Sequence, residues 1–459
     1  MLEIPWVEPG RAFLALGAGD RALPGVAFLD SAGPLRDVSR WSVLAAEPFD
    51  TISLRAPGAD PFAAIADALA LHRRPAGAMP FAEGALLGYL GYGARHSTER
   101  LPRRLSDASE PDLWFGCYDA LIIFDREHRR AWVASSGLPE RGERAAAQRR
   151  RERASRLALR LASLPPEPSA AAGPARLTPL ESGTAYSPAL SPAMGSRRFG
   201  ETVEQASAFI RAGDIYQVNL SYPVDAPCDL APSQLYDRLR RLSPAPFGAY
   251  LDTGAFQVLC NSPERFLLLE DGRIETRPIK GTRPRSLDGV EDARQAAELL
   301  ASPKDRAEHV MIVDLERNDL GRVAIPGSVR VERMAGLESY ASVHHLVSVV
   351  SASARPGAGP SDVLRACFPG GSITGAPKIR AMEIIEALEV APRGIYTGAI
   401  GGIGFSGRMD LAIAIRTAVL REGRARFHVG GGIVADSKPA EEYRETLTKA
   451  EAFARLLAS

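Results

Sequence analysis

The sequence predicts an α+β fold whose sheets are largely antiparallel. Short strand-like runs, such as residues 256–259 and 265–269, alternate with amphipathic helical stretches. Gly or Pro stands at nearly every junction, and the order of the elements is too irregular for a repeated strand–helix–strand unit. A doubly wound parallel sheet is therefore disfavoured.

The composition is that of a globular protein that acts on a small molecule. Of the 459 residues 45% are hydrophobic, and 56 Lys+Arg against 55 Asp+Glu leave a net charge of +1. This balance provides no broad basic field for nucleic acid or anionic membrane. Four scattered cysteines predict neither a zinc site nor disulfides. The N-terminus lacks the pattern of a signal peptide and no apolar run reaches membrane length, so we expect a cytoplasmic protein.

The chain is predicted to have two domains joined by a linker. Residues 1–160 mix short strands, among them 41–46 and 120–124, with turns, and an Arg/Ala/Glu-rich helix is predicted over 141–164. Residues 161–196 are rich in Pro, Ala, Ser and Gly, which is typical of a linker. Residues 197–459 form the second domain, which holds the motifs described next.

Two predicted helices each carry a pair of acids. In the C-terminal helix, Glu442, Glu445 and Lys449 fall on one narrow stripe beside an apolar face. Asp305 and Glu308 have the same i, i+3 spacing at the start of another helix. Such pairs can hold a divalent cation such as magnesium between two helices. The alternative, which spacing alone favours, is two solvated helix faces with local ion pairs.

Lysine is rare in this chain, whereas arginine is abundant. The lysines are Lys280, Lys304, Lys378, Lys438 and Lys449. We expect a lysine where an amine must lose its proton, because a guanidinium cannot do so.

Two glycine-rich stretches have different interpretations. Three glycines at 430–432 allow backbone N–H groups to approach a carboxylate, or they make only a turn. The stretch P-G-G-S-I-T-G-A-P-K (369–378) is not a phosphate loop, because Ala and Pro separate its last glycine from the lysine and no Ser or Thr follows.

Eight motifs between residues 213 and 437 follow one another in a characteristic order. They are G-D-I-Y-Q-V-N-L-S (213–221), N-S-P-E-R-F (261–266), R-P-I-K-G-T-R-P-R (277–285), A-E-H-V-M-I-V-D-L-E-R-N-D-L-G-R (307–322), V-H-H-L-V-S (343–348), P-G-G-S-I-T-G-A-P-K-I-R-A-M (369–382), I-Y-T-G-A-I-G (395–401) and G-G-G-I-V-A-D-S (430–437). In this order they resemble the chorismate-utilising enzymes, a family of anthranilate, aminodeoxychorismate, isochorismate and salicylate synthases. The resemblance implies two facing antiparallel sheets flanked by helices, with the N-terminal part packed around them.

The resemblance also implies a set of site residues. Glu308 and Glu445 are expected to bind Mg²⁺, with Asp305 and Glu442 supporting them directly or through water. Arg416, Lys449 and the glycine amides are expected to oppose the charge of the chorismate dianion. The positions expected to line the chorismate pocket are Gly281, Thr282, Ser372, Tyr396, Arg416, Gly430, Gly432 and Lys449.

Two positions distinguish the members of the family. In the isochorismate and salicylate synthases of this family, a lysine that activates water stands where this chain has Gln217. In this family the anthranilate synthases carry P-I-A-G-T where this chain reads P-I-K-G-T. Lys280 therefore matches the pattern of the aminodeoxychorismate synthases. There the amine is thought to attack ring carbon 2 and expel the hydroxyl at carbon 4, before ammonia enters at carbon 4 and releases the enzyme. The resemblance thus implies an amination of chorismate that leads to p-aminobenzoate and folate.

Further expectations concern proton transfer, the ammonia source and regulation. Glu264 is the candidate general acid and base, with His345 as its hydrogen-bonding partner; a core histidine is the alternative for His345. No cysteine has the context of a glutaminase nucleophile, so a separate glutamine amidotransferase subunit is expected to supply ammonia. The N-terminal domain is a possible tryptophan-site region, around residues 28–34 and 39–48. The alternatives for the whole chain are an anthranilate synthase large subunit and a binding protein without turnover.

Overall fold

The computed structural model describes residues 1–56, 58–105, 109–164, 190–340 and 343–457. Its strands are β1 (Leu2–Ile4), β2 (Ala27–Asp30), β3 (Trp41–Ala45), β4 (Asp50–Leu54), β5 (Ala85–Leu90), β6 (Leu113–Tyr118), β7 (Ala120–Asp125), β8 (Arg130–Ser135), β9 (Ser191–Pro192), β10 (Gln217–Pro227), β11 (Phe247–Asp252), β12 (Gln257–Ser262), β13 (Arg265–Glu270), β14 (Arg273–Thr276), β15 (Ile279–Pro284), β16 (Arg330–Ser339), β17 (Val343–Ser353), β18 (Gly375–Ala376), β19 (Ala399–Gly404), β20 (Met409–Ile413), β21 (Thr417–Arg421) and β22 (Arg424–Ile433).

Helices surround these strands. They are α1 (Pro9–Gly17), α2 (Pro61–Leu71), α3 (Glu143–Ala162), α4 (Ser196–Arg211), α5 (Pro232–Leu242), α6 (Gly289–Ala301), α7 (Pro303–Gly321), α8 (Pro360–Cys367), α9 (Lys378–Leu388) and α10 (Pro439–Leu457), with short 3₁₀ turns at Tyr92–Ser97 and Gly371–Ile373. The helix predicted over 141–164 is confirmed as α3, and the acidic C-terminal helix is confirmed as α10. None of the helices in the described ranges combines the length and apolarity needed to cross a bilayer.

The strands form two antiparallel sheets, as the sequence predicts. One has the order β1-β8-β7-β3-β2-β11-β12-β21-β22-β10-β18, with β9 also paired to β10. The other has the order β15-β17-β14-β13-β20-β19-β5-β6-β4, with β16 also paired to β17. The fold class is therefore confirmed.

The core lies between the sheets and beneath the helices. In β5, Leu87 and Tyr89 belong to a buried cluster shared with residues of the first sheet such as Leu121, whereas the alternate residues Leu86 and Leu90 join a second cluster on the other face. Because successive side chains of a strand point to opposite faces, both faces of β5 are covered. This double burial makes the centre of each sheet a rigid support for the site.

Both sheets contain strands from before and after the predicted linker. β2 pairs with β11 in one sheet, and β5 pairs with β19 in the other. Residues 1–160 are thus joined to the rest of the chain by hydrogen-bonded strands. Most of the predicted linker, residues 165–189, lies outside the described residues, and the division at 161–196 stays a prediction.

Candidate active site

Lys280 lies on β15 beside a β-bulge. Lys280 pairs with Leu346 and Thr282 with His345, so Gly281 is the extra residue in the ladder. Gly281 has φ of 72°, and a Cβ there would lie 2.8 Å from Leu299 Cδ1. Only glycine adopts this conformation without strain, and a bulge redirects the side chains next to it. The P-I-K-G-T sequence therefore encodes the local geometry of Lys280.

Predicted residues from four parts of the chain converge on the amine of Lys280. Burial is the main cause that lowers its pKa, and Glu308 on α7 opposes this effect. The cation of Lys449 lowers the pKa further, while Glu264 and Glu445 oppose it more weakly. No hydrogen bond or ion pair holds the amine among the residues that the structure describes. Lys280 is thus an amine with a reduced proton affinity beside acids from two helices.

Glu264 is a buried carboxyl directly before β13. Its side chain accepts a hydrogen bond of 2.6 Å from Ser372 Oγ, and it is 5% exposed. Burial raises the pKa of Glu264 to about 7, against the effects of Ser372, Lys280 and the backbone N–H of Ile279. A carboxyl with this pKa is present in both protonation states near neutral pH, which suits a general acid and base.

The structure corrects the predicted partner of Glu264. His345 contacts the other strand of its own ladder: His345 Nδ1 lies 3.0 Å from Thr282 Oγ1, whereas the partner of Glu264 is Ser372. The reason is that Ser372, from the 3₁₀ turn after α8, fills the place beside the Glu264 carboxyl. Burial, with help from Arg416, lowers the pKa of His345 to about 3, so its imidazole is neutral. Its buried Nε2 has no hydrogen-bond partner in the described part of the chain.

Glu308 on α7 and Glu445 on α10 lie near the amine of Lys280, with Asp305 beside Glu308 and Glu442 beside Glu445. Burial raises the pKa of Glu308, and the nearby carboxylates of Asp305 and Glu445 raise it further. Burial also raises the pKa of Glu442, with a further contribution from Glu445. Like charges in a half-buried site disfavour ionisation. A divalent cation would therefore favour the ionised form of both Glu308 and Glu442.

Basic and hydroxyl groups occupy part of this acidic cluster. Lys304 Nζ lies 4.0 Å from Glu308 Oε1, and Arg283 donates to Asp305 at 3.2 Å. Ser437 donates to Glu442 at 2.6 Å. Glu445 in turn bonds Lys449 at 2.6 Å, so each of the four acids already has a partner. Glu308 and Glu445, one from each helix, are the two whose charges act on the amine of Lys280.

The acids are not gathered as three ligands of one ion would be. Across the described ranges, the one cluster with three ligand atoms within 4.8 Å of one another is Asp125, Glu127 and His128, which lies elsewhere. Arg40 already bonds Asp125 there. Mg²⁺ often takes only one or two protein carboxylates and completes its shell with substrate and water. Glu308 and Glu445 fit that donor set.

The glycine run of β22 lies against α10 and β10. Lys449 Nζ donates to Gly430 O at 2.9 Å and to Glu445 at 2.6 Å. A Cβ at Gly431 would lie 3.4 Å from Glu442 Oε2 and 3.6 Å from Glu445 Oε1, so this glycine borders the acids. A Cβ at Gly432 would lie 2.9 Å from the side chain of Gln217. The glycines thus form one wall of the site.

Arg416 is a half-buried cation with no acid beside it in the described part of the chain. Burial alone lowers the pKa of its guanidinium, and no ion pair to it is formed within the described residues. Its φ is 50°, and that of Thr397, next to Tyr396, is 61°. Left-handed backbone at residues other than glycine costs of the order of 1 kcal/mol and is concentrated at functional sites. Arg416 is therefore poised to receive an anion.

Several residues of the site were not predicted from the sequence, and Gln217 was considered only as a position that distinguishes members of the family. Gln217 is fully buried, and neither its oxygen nor its nitrogen has a hydrogen-bond partner in the described chain. His428 stacks on Tyr396 at 5.1 Å, and its Nδ1 is likewise without a partner. Gln217 stands within a recognised motif, but a lone polar residue in a strand gives no signal of its own unpaired state. His428, Lys304, Ser437 and Gly431 also had no assigned role.

A separate cavity lies away from these residues. It has a volume of about 1480 Å³ and is lined by residues that include Ser31, Trp41, Phe247 and Gly401. The segments around 28–34 and 39–48 contribute to it, which is where the sequence predicts a tryptophan-site region. Lys280, Glu264 and the acids of α7 and α10 do not line it, so the chemistry belongs to the other site. Tryptophan binding stays a prediction.

Comparisons with known proteins agree with the motifs. The pattern of the chorismate binding enzyme family matches residues 26–455. The chain is 41% identical over 452 residues to anthranilate synthase component 1 of Streptomyces coelicolor, covering 97% of this chain and 86% of that protein. It is 39% identical to aminodeoxychorismate synthase component 1 of Salmonella typhimurium, covering 93% and 92%. The crystal structure of anthranilate synthase component I from Streptococcus pneumoniae superposes with a TM-score of 0.76 at 30% identity, over 98% of each chain.

Proposed function

This chain belongs to the chorismate-binding enzyme family and acts on chorismate, and from that premise we propose that its product is 4-amino-4-deoxychorismate. The large subunit of aminodeoxychorismate synthase makes this compound on the route to p-aminobenzoate and folate. The observation that carries the proposal is Lys280, a half-buried amine with a lowered pKa beside Glu308, Glu445 and Glu264. An amine in this setting is a nucleophile that the competing reactions do not need.

The proposed reaction consists of two displacements. The amine of Lys280 forms a bond to ring carbon 2 while both conjugated ring double bonds shift and the bond from carbon 4 to its hydroxyl breaks. Glu264 gives its proton to the departing hydroxyl, which leaves as water. Ammonia then bonds to carbon 4, both double bonds shift back, the bond between carbon 2 and Lys280 breaks, and the proton lost by ammonia returns to the enzyme.

The chain's own residues hold the substrate in this scheme. Arg416 faces a carboxylate in this proposal, because it is a half-buried cation without an acid partner among the described residues. The amides of the glycine wall and Lys449 face the other anionic part of chorismate. Mg²⁺, held by Glu308 and Glu445, would neutralise a substrate carboxylate and orient the ring.

Ammonia comes from a separate glutamine amidotransferase in this proposal. The relatives from Streptomyces coelicolor and Salmonella typhimurium are each named component 1 of a synthase, which implies a second component. With ammonium salts in place of the partner, the chain alone is expected to turn over.

Anthranilate synthase is the second candidate. It is supported by the 41% identity to the Streptomyces coelicolor enzyme. The two candidates predict different products from one mixture of purified chain, chorismate, Mg²⁺ and ammonium. We expect 4-amino-4-deoxychorismate, seen as p-aminobenzoate only after a lyase is added. Anthranilate fluorescence without the lyase would reject the proposal.

A matched pair of variants tests the role of the amine. Lys280→Ala should abolish formation of the aminated product while chorismate binding, followed by calorimetry, persists. Lys438→Ala is the control, because the side chain of Lys438 is 72% exposed and its ammonium pairs with Glu441 three residues away. Equal rates for wild type and Lys280→Ala would contradict the proposed chemistry.

A further inference from the structure

Lys378 forms a buried junction between two helices and a loop. Its Nζ, at the start of α9, donates to Asp319 Oδ2 on α7 at 2.5 Å, to Pro369 O at 2.8 Å and to Cys367 O at 3.1 Å. An ammonium group has three N–H donors, so every donor of Lys378 is used. The side chain is only 11% exposed. This lysine is bound too completely to act on a substrate.

The loop that Lys378 fastens carries Ser372. Only two residues separate Pro369 from Ser372, whose hydroxyl bonds Glu264. The loop is packed tightly against α7, since a Cβ at Gly371 would lie 2.7 Å from Leu315 Cδ2. A shift of α7 relative to Pro369 would therefore move Ser372 away from the Glu264 carboxyl.

We propose that Lys378 is a positioning residue for Glu264, and that it acts by tying α7 to the loop that presents the Ser372 hydroxyl. The proposal rests on the role of Glu264 in proton transfer that is proposed above. This role explains why a lysine is retained at this position in an arginine-rich chain. One compact ammonium can donate to a carboxylate and to two carbonyls that lie in different directions around it.

The charged groups around Glu264 determine the expected effect. Lys280 on β15 and the Ser372 hydroxyl lower the pKa of Glu264. Glu316 on α7 is buried and accepts a hydrogen bond from Thr276 at 2.9 Å. Burial raises the pKa of Glu316 well above its ordinary value, and the charge of Glu264 raises it further.

Groups near the junction itself are also accounted for. The cation of Arg322 and the thiol of Cys367 face Asp319 and Lys378. Neither group is a cause of the raised pKa of Glu264. Asp319 and Lys378 shift the pKa of Glu316 in opposite directions, so removing both charges together leaves the position of Ser372 as the route by which Lys378 affects Glu264.

The expected effect is a shift in the alkaline limb of the rate profile. A hydroxyl that donates to a carboxylate stabilises the ionised form. Without that bond the pKa of Glu264 rises, and activity that needs the protonated form persists to higher pH. A hydrogen bond to a charged group corresponds to a shift of about one pH unit.

The test compares pH profiles of kcat in the wild type and four variants, with chorismate and ammonium as substrates in the presence of Mg²⁺. Asp319→Asn/Lys378→Met removes the ion pair without leaving a lone charge, and Ser372→Ala removes the hydroxyl. A third variant combines these substitutions. Asp314→Asn/Arg317→Met is the matched control, because this pair lies on the exposed side of α7 at 2.7 Å. Near-ultraviolet circular dichroism checks that each protein is folded.

The proposal predicts that the first two variants move the alkaline limb upward by a similar amount, about one pH unit, and that the combined variant moves it no further. The control should match the wild type. A limb that shifts in Ser372→Ala but stays in place in Asp319→Asn/Lys378→Met overturns the role of Lys378 alone. A limb that stays in place in Ser372→Ala overturns both this proposal and the role of Glu264.

Should Asp319→Asn/Lys378→Met not fold, Asp319→Asn alone is the milder variant, because the amide oxygen still accepts from Lys378. It should give a smaller shift in the same direction. A loss of kcat in that variant without any shift of the limb would show a purely structural role and overturn the proposal.

Discussion

Two buried glutamates, Glu264 and Glu275, are expected to affect stability with opposite signs. Glu264 is 5% exposed and Glu275 is 3% exposed. Burial raises the pKa of Glu264 to about 7. Glu275 is equally buried, but three arginines bond it and lower its pKa to about 2. Replacing each glutamate by glutamine removes the charge with little change in shape.

The sign of the Glu264 effect follows from linkage. Its pKa in the folded protein lies above the unfolded value of 4.5, so the ionised carboxyl costs stability. The cost is absent below about pH 4.5, grows as the pH rises to about 7, and is constant above that. A difference of about 2.5 units corresponds to about 3 kcal/mol. Glu264→Gln should therefore gain up to about 3 kcal/mol relative to wild type between pH 4.5 and pH 8.

Glu275 gives the opposite result. Its pKa in the folded protein is lowered, so its stabilising effect is complete above about pH 4.5 and is lost as the pH falls towards 2. Glu275→Gln should be less stable than wild type by about 3 kcal/mol at every pH from 5 to 8. The difference should not change within that range.

Urea unfolding at pH 5 and pH 8, followed by circular dichroism, measures both differences. Activity at pH 7 should fall sharply in Glu264→Gln, because the amide cannot give up a proton to the leaving hydroxyl. If the stability difference between Glu264→Gln and wild type were the same at pH 5 and pH 8, Glu264 would be an ordinary ionised carboxylate, and the reasoning about its proton would be refuted.

Three further predictions concern the metal, the substrate anion and the bulge. Glu308→Gln should raise the Mg²⁺ concentration needed for half-maximal rate by about tenfold or more, which a titration of activity with Mg²⁺ measures. If that concentration were unchanged, Glu308 would not be a ligand. Arg416→Met should raise the KM for chorismate by about 30-fold, the equivalent of about 2 kcal/mol. Thermal stability should not fall, because no acid among the described residues pairs with the guanidinium. The same substitution at the exposed Arg424 is the matched control, and an unchanged KM in Arg416→Met would exclude Arg416 from the pocket. Gly281→Ala should lower kcat and destabilise the fold by roughly 1–3 kcal/mol, because φ is 72° at this position. If the Gly281→Ala variant kept the kcat of the wild type, the bulge would not position Lys280.

The sequence predicted those parts of the site that depend on local periodicity. Helix α10 places Glu442, Glu445 and Lys449 on one side because 3.6 residues complete a turn. The antiparallel sheets followed from strand-like runs without a regular helical crossover. Motif order then linked these elements to residues such as Lys280 on separate strands.

Contacts between distant segments could not be predicted in this way. Ser372 and Glu264 are 108 positions apart, and no local pattern indicates which hydroxyl will reach a buried carboxyl. The same limit explains why His345 was expected to bond Glu264 and instead contacts Thr282 across its own strand pair. The pairing of Lys378 with Asp319 is equally non-local.

The central claim is that the amine of Lys280 becomes bonded to the substrate. Its most direct test is mass spectrometry of the protein incubated with chorismate and Mg²⁺ without ammonia, followed by proteolysis. The account predicts a chorismate-derived adduct, lighter than chorismate by one water, on the peptide that carries Lys280; ammonium should release it, and Lys280→Ala should not form it. An unmodified Lys280 peptide, in a preparation that makes the aminated product once ammonium is added, would contradict the account.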